Sequence, residues 1–442
     1  MISHFALLIS SIIAKKKVLR YSVCGCKCHL MNNVLTIKNF GPIKNERSTK
    51  INICKITAFC GGQGTGKSSA AKLISEFFWL EKALNRGDFP ISELTMYDRF
   101  RKKYCSFYGI QNYFKEDTYI QFYGDKYLFE YKDKHLFVRE LGINIKNKYE
   151  RPQIMYIPAE RNFISSVENA DKIRKLSGTL STMMDDYFQA LKQSKGTISL
   201  PVDGYSVTYD KLNKLTWLAG NDFKIRLQEA ASGFQSLIPM MIVSNYLLNQ
   251  IIENKGENIL NLKSVEERER ITKNIQKILK DKELDDSIRL ELIKQYQTEL
   301  YNHHFINIVE EPEQNLFPKS QRNVLNELLR INNSIKGNLF IFTTHSPYII
   351  NYLTLAVKAG MLYHSLLGVS GAKEKIEKIV PEQSAVLSKD VVIYQFTEDG
   401  EIKLLPKYES LPSDDNFLNN SLFESNQLFE QLLEIEDEYK IC

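Results

Sequence analysis

The chain lacks any apolar run long enough to cross a bilayer. Its one candidate, Phe5 to Ala14, spans ten residues, half of the roughly 20 a membrane helix needs. The lysines at 15–17 follow that run instead of preceding it, the wrong order for a secretory signal. Paired cysteine spacing is also lacking. The seven cysteines, at 24, 26, 28, 54, 60, 105 and 442, are odd in number and scattered, as expected of reduced thiols in a cytoplasm. Cys24, Cys26, Cys28 and His29 do not have a zinc spacing and no second ligand cluster accompanies them. The formal net charge of +5 equals the five bases of residues 1–30, which hold no acid, so residues 31–442 are neutral overall. That balance supplies no electrostatic argument for or against nucleic acid. No internal repeat or low-complexity tract occurs.

What the chain does have is Gly61-Gly62-Gln63-Gly64-Thr65-Gly66-Lys67-Ser68-Ser69, a match to G-x-x-x-x-G-K-[ST]. A β-rich apolar run, Ile51 to Phe59, precedes it, and Leu73, Ile74, Phe77 and Phe78 follow at helical spacing. Such a loop turns its backbone N–H groups toward phosphates at a helix N-terminus, and Lys67 reaches the β- and γ-phosphates. Ser68 supplies a hydroxyl to Mg²⁺. Nucleotide binding is therefore expected.

The remainder reads as alternating elements. Two strands fill Met31 to Phe59, and Tyr119–Tyr123, Tyr127–Tyr131 and His135–Val138 form an antiparallel meander. A buried strand, Ile154 to Ile157, ends at Pro158, residues 163–195 read as helical, and Gly204 to Leu227 hold short strands. A helix from Gly233 to about Ile252 precedes a charged stretch, 253–303, read as an inserted helical hairpin. Phe305–Val309 and Leu339–Phe342 are core strands joined by a crossover helix, Lys319 to Ile335. The tail reads as a hairpin, Val391 to Leu405, then an acidic amphipathic helix from near Ser421, either a docking surface or a packed end helix.

Three later elements narrow the chemistry. The strand before Glu310-Glu311-Pro312-Glu313 ends in two acids, suited to Mg²⁺ held through its water shell by the first and an attacking water polarised by the second. Leu339 to Phe342 runs into Thr343-Thr344-His345-Ser346-Pro347, which puts His345 at the ligand edge of the same sheet. Ala231-Ser232-Gly233-Phe234-Gln235 opens a helix, so Ser232 and the Gly233 amide present a second N-terminus to phosphate. Glu313 is read as a structural acid of the turn.

In this order the motifs resemble those of ABC-type ATPases, in the soluble SMC, RecF and OLD-like branch. Leu35-Thr36-Ile37-Lys38-Asn39-Phe40-Gly41-Pro42, Glu311-Pro312-Glu313 with Leu316 and Pro318, and Thr344-His345-Ser346-Pro347 carry the likeness, over about 31–252 and 300–350. It implies an α/β fold: an ABC-type head with an antiparallel β subdomain, a helical lobe and the inserted hairpin. It also implies ATP and Mg²⁺ as ligands. Gly61, Gly62, Gln63, Gly64, Thr65, Gly66, Lys67, Ser68 and Ser69 would form the phosphate loop, Ser68 and Glu310 the metal site, and Glu311 the catalytic base. His345 would be the switch histidine, and Ser232 and Gly233 the signature. Two positions depart from the pattern: Phe234 replaces the second glycine of Leu-Ser-Gly-Gly-Gln, and Glu310 stands where Asp is usual. For the lid glutamine the candidates are Gln153 before the Ile154 strand and, better placed, Glu160-Arg161 after it.

The implied organisation is a leader or mis-assigned start at 1–30, head at 31–252, insertion at 253–303, second head segment at 304–360, and a C-terminal extension at 361–442. In such enzymes two heads stack head-to-tail, so a homodimer or higher oligomer follows. OLD-like chains often add a Toprim nuclease, which needs an Asp-x-Asp; none occurs after His345, so no nuclease activity is expected. The resemblance then implies a cytoplasmic ATPase that gates a separate effector, like the ATPase subunits of anti-phage systems such as PARIS, less closely Septu. The alternative is an SMC- or RecF-like DNA repair or tethering ATPase. Two helices of roughly 30 Å, at 1.5 Å per residue, are far shorter than SMC arms, and a transporter motor would keep the Gly-Gly signature.

Overall fold

A computed structural model describes residues 33–142, 149–167, 170, 173, 175–253, 301–439 and scattered positions between 272 and 290. In chain order, β1 (Val34–Phe40) and β2 (Lys50–Asn52) lead into β3 (Ile56–Gly61) and α1 (Lys67–Arg86). There follow β4 (Phe114–Tyr123), β5 (Tyr127–Lys132), β6 (His135–Glu140) and β7 (Pro152–Ile157). Then come α2 (Gly178–Gln193), β8 (Thr197–Ser199), β9 (Ser206–Asp210), β10 (Leu215–Ala219), β11 (Lys224–Arg226) and α3 (Ser232–Glu253). The second half gives β12 (His304–Glu310), α4 (Pro318–Asn333), β13 (Leu339–Thr344), α5 (Pro347–Ser365), β14 (Val391–Phe396), β15 (Ile402–Leu404) and α6 (Phe417–Tyr439).

The central sheet has the order β15-β14-β3-β13-β12-β7. All its strands are parallel except the β15 edge. Every residue of β3, β12 and β13 is buried, because helices or a second sheet cover both faces of a parallel sheet. One face (Ile56, Ala58, Val309, Phe342, Ile393) shares a core with α2, α3, α4 and α5. Helix α1 lies on the other. Its Phe77 stacks on Phe122, with ring centroids 5.1 Å apart, and touches Phe129, which joins it to the antiparallel sheet β2-β1-β4-β5-β6. The α/β class and the antiparallel subdomain expected from the sequence are both present.

Several elements differ from expectation. The meander gains β1 and β2 through long-range pairing. Residues 163–195 are not one helix: Val167 is extended after the short helix Phe163–Ser166, and Ser177 opens α2. The region 204–227 belongs to a four-stranded sheet, in which the Asp210 carboxylate accepts the Leu212 and Asn213 amides at the β9–β10 turn. Strands β14 and β15 form the expected tail hairpin, and β14 in addition pairs in parallel with β3 inside the main sheet. Helix α6 starts four residues earlier than expected. The buried Asn416 caps it, accepting the Asn419 amide at 3.1 Å. Leu418 is its buried anchor, and residues 421–438 are exposed on this chain. The hairpin read over 253–303 and the Cys24–His29 cluster lie almost wholly outside the described residues. Among those described, no helix is long and apolar enough to cross a membrane.

Candidate functional site

The parallel strands β3, β7, β12 and β13 end at one edge of the central sheet, and the candidate residues follow those ends. At the end of β3 the chain turns into α1 through Gly66, the left-handed N-cap with φ 101°. A Cβ there would lie 2.5 Å from Ile43 Cγ1, and one on Gly61 would lie 2.1 Å from the Phe396 carbonyl oxygen of β14. Only glycine lets the loop lie this close to its neighbours. Thr65 Oγ1 donates to the Gly62 carbonyl at 2.9 Å, and Lys67 Nζ donates to the Gly61 and Gly62 carbonyls at 3.0 and 2.6 Å. Burial pushes the Lys67 ammonium down to about 8, opposed by Glu311, Cys60 and Glu313. Gln63 and Gly64 are exposed and Ser68 is half-buried. The loop is a narrow, glycine-lined cradle with its cation at the centre.

Two strands away, β12 delivers the acids. Glu310 is buried, its Oε1 accepting the Tyr156 hydroxyl and its Oε2 the Ala159 amide at 2.9 Å. Each oxygen already accepts one hydrogen bond and keeps a lone pair, so Glu310 would hold an ion through its water shell, with the Ser68 hydroxyl as a direct ligand. This all-oxygen set suits Mg²⁺. No group of three or more His, Cys, Asp or Glu among the described residues could hold a metal, so the remaining ligands would come from nucleotide and water.

Glu311 has φ 42°, unusual for a non-glycine residue. Its amide donates to the Thr343 carbonyl at 3.0 Å, and its Oε1 stands 3.5 Å from His345 Nε2. Burial raises the Glu311 carboxyl, as does Glu310, while Arg161 and Lys67 oppose the rise. Burial lowers the His345 imidazole, and Lys67 adds to that. Both shifts run toward the uncharged form of the group. Glu313 is structural, as expected. Its Oε1 accepts the Thr344 hydroxyl and the His345 amide at 2.7 and 2.9 Å, fixing where His345 leaves β13.

Ser232 opens α3, and it and Ala231 are exposed, whereas Gly233 is buried. A Cβ on Gly233 would come within 2.5 Å of the Asn315 carbonyl oxygen, so the loop after the acid pair packs directly on this turn. Phe234 does not occupy the tip. Its ring packs on Tyr205, with centroids 4.7 Å apart, tying the turn to the small β8–β11 sheet.

Sequence reasoning placed Glu160-Arg161 at the site without resolving their roles. Glu160 is exposed. Arg161 is fully buried and bonds the Glu310 and Glu311 carbonyls. The one available signal was a charged residue just after a buried strand ending in proline. Tyr156, whose hydroxyl donates to Glu310, gave none.

No family model matches the chain, and no curated protein does. Among solved structures it is similar to an SMC head bound to the C-winged helix domain of ScpA. That match has 9% identity and a TM-score of 0.37 over 85% of this chain and 97% of that one. It is also similar to the SMC head domain from Thermotoga maritima, with 11% identity and a TM-score of 0.34 over 86% and 99%. A third match is an Smc head domain with an extended coiled coil bound to the C-terminal domain of ScpA, derived from Pyrococcus furiosus. It has 9% identity and a TM-score of 0.36 over 91% and 99%.

Proposed function

We propose that this chain is an ABC-type ATPase of the SMC, RecF and OLD-like branch that hydrolyses ATP to ADP and phosphate and gates a separate effector protein. The observation that carries the reading is the convergence at one sheet edge of the Lys67 cradle, the Glu311–His345 pair and Ser68. Lys67 would exchange its two carbonyl contacts for phosphate oxygens. Glu311 would take a proton from the attacking water at a carboxylate oxygen, and His345 would orient the terminal phosphate through Nε2. Mg²⁺, held by Ser68 and through water by Glu310, would neutralise phosphate charge. The exposed Ser232 tip supports head-to-tail pairing, in which a second copy closes over the nucleotide.

The effector role is supported by α6, and its setting in anti-phage defence rests on the sequence resemblance alone. Between 417 and 439 it holds six acids and no base, with Phe423, Phe429 and Leu432 exposed, a surface suited to partner docking. Glu311→Gln is expected to bind ATP, lose hydrolysis by on the order of a hundredfold or more, and accumulate as a dimer when sized with ATP. A strictly monomeric, ATP-bound variant would defeat the head-to-tail reading. Salt-sensitive DNA stimulation of hydrolysis would shift the assignment to the repair class.

A further inference from the structure

At the sheet edge itself, the mechanism above leaves Arg161 unused. Arg161 is fully buried, and every hydrogen bond it makes goes to a backbone carbonyl. Nη1 donates to Pro158 and Glu310 at 3.2 and 2.6 Å, Nη2 to Glu311 at 2.6 Å, and Nε to Ser236 at 3.2 Å. A buried guanidinium is tolerated only where such donors are satisfied. Burial pushes it down to about 10, with Glu313, Glu310, Glu311 and Glu160 opposing, so it stays charged at neutral pH. The four acceptors belong to three places: the residue after β7, the acid pair at the end of β12, and the first turns of α3.

We propose that Arg161 is a positioning residue that locks the acid loop to the helix bearing Ser232, so that contact at that helix tip resets Glu311 of the same chain. This inference rests on the reading of Glu311 and Ser232 given above. The positive φ of Glu311 is held from both sides, by Thr343 at its amide and Arg161 at its carbonyl. Two further links run the same way. Ser236 Oγ donates to Gln314 Oε1 at 2.7 Å, and Gly233 lies against the Asn315 carbonyl. Only Ala231 and Ser232 face outward; the turn behind them rests on the acid loop. A nucleotide held by a second copy would therefore touch the exposed end of a lever whose other end is the catalytic carboxylate, and each subunit would hydrolyse only when its own tip is engaged.

Arg161→Lys and Ser236→Ala, singly and together, test this by steady-state ATPase, nucleotide calorimetry, sizing with ATP and thermal unfolding. A lysine keeps the charge but cannot fork to three elements. Misplacement of a reacting group costs on the order of tenfold to a hundredfold. Arg161→Lys is therefore expected to lower kcat by at least about tenfold and Ser236→Ala by a few-fold, with KM and nucleotide Kd within about twofold of the parent and ATP-driven pairing kept. The double variant should fall well short of the product of the two losses, since coupled residues are not additive. Parental kcat in folded variants, a parallel loss in KM, or a fully multiplicative double variant would overturn the proposal. If Arg161→Lys does not fold, Ser236→Ala decides alone. Glu311→Gln in the same assay separates the two levels. Retained hydrolysis there removes the catalytic assignment itself, whereas lost hydrolysis beside parental Ser236→Ala and Arg161→Lys removes only the lever.

Discussion

Helices α1 and α3 carry the two N-termini of the proposed site, and they are built in opposite ways. The tip of α1 is enclosed. Lys67 and Ser69 are buried, Ile43 lies against Gly66, and the lysine is pinned to its own loop. The tip of α3 is braced from behind, by Arg161, by Asn315 and by the Phe234–Tyr205 contact, while Ala231 and Ser232 face outward. An enclosed tip can hold phosphate with groups of one chain. A braced and exposed tip is suited to meet something brought to it. In the proposed reading, the enclosed tip is the binding half in cis and the braced, exposed tip is the half that a second copy would meet.

The sharpest way to break that contrast is at Lys67. A charge-assisted contact is worth about 1.5–3 kcal/mol, or roughly tenfold to a hundredfold in affinity. Lys67→Ala is thus expected to weaken ATP binding to the single chain by up to about a hundredfold, read by calorimetry; parental affinity would mean the cradle is not the binding half. Ser232→Arg should do the reverse. It leaves binding by the single chain within about twofold and lowers hydrolysis by at least about tenfold, through lost closure and lost donors. Equal damage to binding by both variants would erase the distinction between the two tips.

Sequence showed these tips unequally well. The phosphate loop is a contiguous pattern whose glycines and lysine act within nine residues, so spacing alone exposes it. The acid pair and His345 were legible because each follows a buried apolar strand. The parallel position of β14 beside β3 was not, since its partner is more than 300 residues away and local patterning says only that a strand exists. Arg161 was half-legible. Its place after β7 hinted at the site, but its function lies in carbonyls at 158, 236, 310 and 311 that no residue type encodes. Glu310 kept its expected position at the strand end, and its hydroxyl partner Tyr156, from the neighbouring strand β7, could not be foreseen.

The smallest expected effect extends the contrast into α1 itself, from a buried lysine whose ammonium has partners to a buried acid that keeps its proton. Two turns beyond Lys67, Glu76 is fully buried and its Oε1 has no hydrogen-bond partner. Burial pushes its carboxyl up to about 8, against about 4.3 in an unfolded chain. The folded state therefore keeps a proton that the unfolded state has lost across this window. Its contribution to stability is full below about pH 4 and is lost as pH rises through about 8. The neighbouring Tyr104, Cys105 and Tyr108 are also pushed upward by burial, which keeps them neutral over the same range. Glu76→Gln preserves the shape and removes the titration. Its melting temperature should gain on the parent as pH rises from 5 to 8.5, by roughly 2 °C or more, with ATP affinity unchanged. A difference that stays constant across that range would show that Glu76 does not titrate there, and that the interior of α1 tolerates an ionised acid as readily as its tip tolerates Lys67.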